Sequence, residues 1–159
     1  MFLTGVYGVG KTHLGIALML EWLADNLRIV KKIQYYDIEP RKGYPFFQSA
    51  ADLFLELKSS FKNDNTTEED IINSLDGHNL LMLDDVGVDK VSDWSKQIVY
   101  TLIDKRYRNM KPIIITSNLS LEELADTYDA RIASRLLEMG EVVTLTGGDK
   151  RKQKGGQKR

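Results

Sequence analysis

Eight residues near the start of the chain, Gly5-Val-Tyr-Gly-Val-Gly10-Lys11-Thr12, fit the pattern G-x-x-x-x-G-K-[ST] at every fixed position. These residue types suit the grip on a polyphosphate. The glycines let backbone N–H groups converge on phosphate oxygens with no Cβ in the way, and a helix opening at Lys11 adds the positive end of its dipole. Lys11 supplies a compact positive charge for the terminal phosphates, and the Thr12 hydroxyl suits Mg2+. Val6, Tyr7 and Val9 complete the loop. His13 reads mainly as a helix-face residue and is carried with the loop as its flanking contact.

A second group of polar residues ends an apolar run. Leu80-Leu-Met-Leu-Asp84-Asp85 places two acids at the C-terminal end of a strand, the edge of an open α/β sheet where ligands bind. Asp84 would hold Mg2+ directly or through water, and Asp85 would orient or deprotonate an attacking water; a turn with Gly87 is the competing reading. Ile113-Ile-Ile-Thr116-Ser117-Asn118 repeats the design, with Asn118 able to bond the lytic water or a phosphate oxygen, or else to make an Asx turn before Ser120. Arg131 and Arg135 stand at i and i+4 on one helix face. A guanidinium pointing from one subunit toward a neighbour's phosphates would stabilise the charge of phosphoryl transfer; the alternative is pairing with Asp129, Glu138 or Asp126.

Alternating strand and helix patterns must position these groups, which argues for a parallel sheet between helical layers. Strands are expected at Phe2–Thr4, Ile33–Ile38, Leu80–Leu83, Ile113–Ile115 and Val142–Leu145. Between them fall helices over Lys11–Asp25 (apolar Leu14, Ala17, Leu18, Trp22), from a cap at Ser49 (burying Leu53, Leu57 and Phe61), from Thr67 with Asp70, over Ser92–Arg108 (Trp94, Ile98, Leu102, Ile103 on one face), and from Asp129 or Ala130 to Gly140. Ser120 and Glu123 form a capping box, and Asn63–Asn65 reads as a turn. Tyr35-Tyr36 and Phe46-Phe47 suit core packing better than base stacking.

At 159 residues the chain is one domain, and zero cysteines exclude a disulfide scaffold, a thiolate zinc site and a cysteine nucleophile together. Two histidines make a histidine-rich metal centre a poor fit. No stretch approaches the ~18 apolar residues of a membrane span, and with no charged-then-apolar leader the chain reads as cytoplasmic. The net charge of −1 hides a split, because the last ten residues hold six Lys/Arg and no acid. The division is therefore a body over 1–149 and a basic tail over 150–159, a frayed terminus or a contact for a phosphate backbone.

The order of these motifs resembles the AAA+ ATPase domain of the DnaC/DnaI helicase-loader family, in which the transposition helper IstB is a close relative. The likeness runs from Phe2 to about Arg151 and is most specific in Leu-Met-Leu-Asp-Asp-Val-Gly and in Thr-Ser-Asn-Leu with Arg-Ile-Ala-Ser-Arg close behind. It implies a three-layer α/β P-loop sandwich with a five-stranded parallel sheet in the order 5-1-4-3-2. Lys11 and Thr12 then take Walker A roles, Asp84 and Asp85 Walker B roles, and Asn118 that of sensor 1. Arg135 matches the arginine finger, Arg131 is the fallback, and Arg151 stands where a sensor-2-like arginine would. The resemblance further implies ATP and Mg2+ as cofactors, nucleotide shared between subunits of a ring or helix, and single-stranded DNA binding with the Ser49–Leu75 region contributing. A replicative helicase would be the partner.

Two departures qualify it. Asp85 stands where most AAA+ enzymes have Glu, which suits slow turnover, and the loaders' N-terminal helicase-gripping segment has no counterpart ahead of Phe2. The leading expectation is an assembly-dependent ATPase that helps load a helicase. Its rivals are a nucleotide-gated binding module with negligible hydrolysis and an IstB-like transposition helper. A P-loop kinase is disfavoured, because Asp84-Asp85 with Asn118 match water activation better than acceptor binding.

Overall fold

The computed structural model describes all residues except 32–35, 41–42, 62–65, 89–90 and 151–159. Five strands form one parallel sheet: β1 (Phe2–Gly5), β4 (Phe46–Ser49), β5 (Leu81–Val86), β6 (Ile113–Ser117) and β7 (Val142–Leu145), in the order β4-β5-β6-β1-β7. Counted along the chain within this sheet, and read from the β7 edge, that is the expected 5-1-4-3-2. A separate antiparallel ribbon joins β2 (Leu27–Lys31) to β3 (Tyr36–Pro40). The helices are α1 (Lys11–Asp25), α2 (Ala50–Ser60), α3 (Glu68–Gly77), α4 (Asp93–Arg108), α5 (Leu121–Thr127) and α6 (Ala130–Met139).

Central strands are covered on both faces and therefore read as unbroken apolar runs. Leu81, Leu83, Ile113, Ile115 and Phe2 pack into the larger core with Leu53, Leu57, Ile98, Leu102 and Ile132, while Met82, Ile114 and Leu3 face Met19 in the smaller one.

Three expectations are corrected here. The second strand of the sheet is Phe46–Ser49, not Ile33–Ile38: residues 33–35 lie outside the described part, and 36–38 belong to the ribbon. The true strand has four residues at a sheet edge, half exposed, with Phe46 stacked on His78 at 4.3 Å; it carries no run long enough to register after Gly43 and Pro45. On α1 the buried stripe is Lys11, Gly15 and Met19, whereas Leu14 and Ala17 are exposed. A Cβ on Gly15 would come within 2.4 Å of the Met82 methyl, so the glycine is what seats the helix this close to the sheet. Phe61, expected with Leu53 and Leu57, is exposed at the end of α2, with Trp94 edge-on to its ring at 6.0 Å. The α4 and α6 boundaries agree with expectation. The expected Asn63–Asn65 turn falls outside the described residues.

Candidate active site

Helix ends set the site apart. Ser49, Thr67, Ser92, Ser120 and Asp129 cap α2 to α6 with side-chain oxygens. At α1 the N-cap is Gly10, in a left-handed conformation and without a side-chain cap. The first N–H groups of α1 therefore lack the side-chain acceptor the other helices have, as an anion-binding terminus requires. Val6 and Tyr7 are exposed, Val9 is buried and contributes only backbone to the loop, and His13 lies exposed on the helix face.

Lys11 is 6% exposed, and its ammonium donates to the carbonyls of Gly5 (2.8 Å) and Val6 (3.1 Å) and to Asn118 Oδ1 (2.6 Å). The Thr12 hydroxyl donates to Asp84 Oδ2 at 3.1 Å. The three polar groups picked from the sequence thus meet at the C-terminal ends of β1, β5 and β6. Asn118 uses its oxygen on Lys11 and keeps a buried Nδ2 with no hydrogen-bond partner, an amide donor left over for a ligand oxygen.

The adjacent acids point differently because β5 bulges. Leu83 pairs with Ile115 but Val86 with Ser117, so the strand carries one extra residue at Asp84-Asp85. Asp84 is buried and aimed inward; Asp85, at φ 58°, is exposed. The Thr116 hydroxyl donates to Asp84 Oδ1 (2.6 Å) and accepts from the Asp85 N–H (2.9 Å). No role for Thr116 follows from its sequence position in an apolar strand, although a hydroxyl closing such a run is a signal in hindsight.

The donor set fits Mg2+. Among the described residues no three His, Cys, Asp or Glu side chains gather as a protein-only metal cage. One carboxylate beside one hydroxyl is the arrangement that Mg2+ takes when phosphates and waters fill its remaining octahedral positions.

Arg131 and Arg135 do not join this group within the chain. Arg131 forks onto the Asp129 carboxylate (2.9 and 2.8 Å) and lies 4.3 Å over the Tyr100 ring. These hydrogen bonds hold Asp129 down to about pKa 2 and push the guanidinium above its ordinary value. Arg135 pairs with Asp104 at 2.6 Å and sits near the rings of Tyr100 and Tyr107. Of the alternative partners Asp129, Glu138 and Asp126, Asp129 pairs with Arg131, while Arg135 takes Asp104, which α4 brings across together with Tyr100. Arg151 lies outside the described residues. Its neighbours do reach the loop: the Lys150 N–H donates to the Gly8 carbonyl at 3.0 Å, and Asp149 lies where a Cβ on Gly8 would be 1.9 Å from its Oδ1.

The family model described as IstB-like ATP-binding protein matches residues 1–158. The chain belongs to that family. Among curated relatives, the replicative helicase loader DnaC of Buchnera aphidicola subsp. Baizongia pistaciae is 32% identical over 144 residues, covering 90% of this chain and 52% of the relative. DnaC of Escherichia coli K12 is 26% identical over 133 residues, covering 84% and 48%. The chain therefore spans about half the length of these relatives. The crystal structure of the DnaC helicase loader superposes with a TM-score of 0.72 at 26% identity, over 92% of this chain and 77% of that one. The resemblance to the DnaC/DnaI group is borne out, and with it the AAA+ P-loop class of the sheet. No described helix is long and apolar enough to cross a membrane.

Proposed function

We propose that the chain is the ATPase module of a helicase-loader-like protein, hydrolysing ATP where two copies meet. The observation that carries this reading is the pair of contacts Lys11–Asn118 and Thr12–Asp84, which bring three separate motifs to one place. The loop N–H groups and Lys11 bind the β- and γ-phosphates. Thr12 and Asp84 would hold Mg2+, which would supply neutralisation of the charge developing on the phosphates. Asn118 Nδ2 and the Asp85 carboxylate orient the attacking water, with Asp85 as the base. Arg135, with Arg131 as fallback, completes the site of the neighbouring copy, and the assembly binds single-stranded DNA and assists a replicative helicase, the activity in the printed name of the DnaC relatives.

Release of Arg135 would leave Asp104 paired with Arg108 at 2.9 Å. Calorimetry with MgATP and hydrolysis against protein concentration test the proposal. It expects uptake of MgATP, weakened by Lys11→Ala, and a rate per chain that climbs with concentration. Absence of MgATP uptake by folded protein overturns it. The exposed, shorter Asp85 supports a second reading, a nucleotide-gated binding module; binding without any turnover in assembled, DNA-bound samples would select it. Duplex DNA preference and a transposase partner would instead select the transposition-helper role.

A further inference from the structure

Thr116 sits in the middle of the sheet, opposite Leu3 of β1, with no exposed surface. Every neighbour along β6 on its N-terminal side is isoleucine, and a valine would pack there as well. A buried hydroxyl at such a place costs free energy unless it is fully bonded. Here both of its bonds go to the acidic pair: it donates to Asp84 Oδ1 and accepts from the Asp85 N–H. The extra residue in β5 removes Asp85 from the regular ladder between β5 and β6, and the Thr116 oxygen takes the place of the missing backbone acceptor.

We propose that Thr116 is a positioning residue that sets the geometry of the metal and water sites from beneath. With Oδ1 of Asp84 committed to Thr116, the carboxylate is locked with Oδ2 turned toward the Thr12 hydroxyl, 3.1 Å away. With the Asp85 N–H committed to the same oxygen, the left-handed backbone at φ 58° is held and Asp85 is exposed where Asp84 is buried. A left-handed aspartate is disfavoured and persists only where its surroundings enforce it. One hydroxyl therefore fixes both the metal carboxylate and the base relative to each other. This rests on the Mg–ATP reading of the site; its own claim is that the two acids are coupled through Thr116.

The test compares Thr116→Val, which keeps shape and removes the hydroxyl, with Thr116→Ser, which keeps the hydroxyl. Mn2+ binding in the presence of a non-hydrolysable ATP analogue is followed by electron paramagnetic resonance, and ATP binding in EDTA by calorimetry. Thr116→Val is expected to weaken Mn2+ binding roughly 10–100-fold, the usual effect of losing an outer-shell partner. Metal-free ATP affinity stays unchanged, and Thr116→Ser restores the wild-type Mn2+ affinity. In nucleotide-free protein the Asp85 amide exchanges faster in the valine variant. Unchanged Mn2+ affinity in Thr116→Val overturns the proposal, as does a parallel loss of metal-free ATP affinity. Should the valine protein not fold, Thr116→Ala gives the same comparison. If wild-type protein takes up no nucleotide, the Mg–ATP reading fails, while Asp85 amide exchange still decides whether Thr116 pins the bulge.

Discussion

Lys11 shows how a single side chain is prepared for its ligand. Its ammonium is drawn into the protein by hydrogen bonds to two carbonyls and an amide oxygen, which hold the charge at the phosphate loop. Charged hydrogen bonds contribute about 1.5–3 kcal/mol, and Lys11→Ala is expected to weaken ATP binding roughly 10–100-fold by calorimetry. Asp129 offers a pH observable at the same scale. Two hydrogen bonds from the Arg131 side chain and one from its N–H hold this carboxyl at about 2. A carboxylate with a depressed folded value stabilises the fold above its ordinary value near 3.9, and that contribution is lost as pH falls toward about 2. Carboxyl chemical shifts are expected to place the Asp129 midpoint about there, and Arg131→Ala to return it toward the ordinary value.

The β4–β5 edge carries the clearest prediction for an element. The His78 ring stacks on Phe46, and burial, then Arg106 and then Lys111, lower its pKa. The unfolded chain takes up a proton near pH 6.5, where folded His78 still resists, so stability is full above that value and declines as pH falls below it. Urea midpoints are expected to drop between pH 7.5 and 5.5, and His78→Phe to reduce that slope. At the centre of the sheet, Leu83 is fully buried, and Leu83→Ala is expected to cost about 2–5 kcal/mol in the same measurement. These elements differ in how legible they were. Leu80–Leu83 and Ile113–Ile115 announce themselves because burial on both faces demands apolar residues throughout. Phe46–Ser49 does not, since an edge strand needs few. The α1 stripe misled because Lys11 and Gly15 are buried for reasons of chemistry and close approach, which apolar periodicity does not record. At the site, residue types with a fixed spacing were readable, whereas Thr116, Tyr100 and Asp104 act through contacts 31 to 35 residues apart in the chain.

The arrangement of the whole molecule turns on where the arginines work. Among the described residues the side-chain contacts of Arg131 and Arg135 lie on α4, α6 and the α6 cap, away from the phosphate loop of their own chain. If one acts on a neighbour, the interface is head-to-tail, with the loop of one copy facing α6 of the next. Such a site is built from two halves that mutation can separate. Lys11→Ala destroys the loop half and keeps the arginine half; Arg135→Ala does the reverse. Each alone is expected to be inactive. In an equal mixture, random assembly makes about a quarter of the interfaces from two intact halves, and hydrolysis is expected to recover to about that fraction of the wild-type rate. Arg131→Ala inactive alone and recovering in the mixture, with Arg135→Ala active by itself, would give the role to Arg131. No recovery with either, in mixtures shown to co-assemble, would place the site within one chain and overturn the shared-interface mechanism.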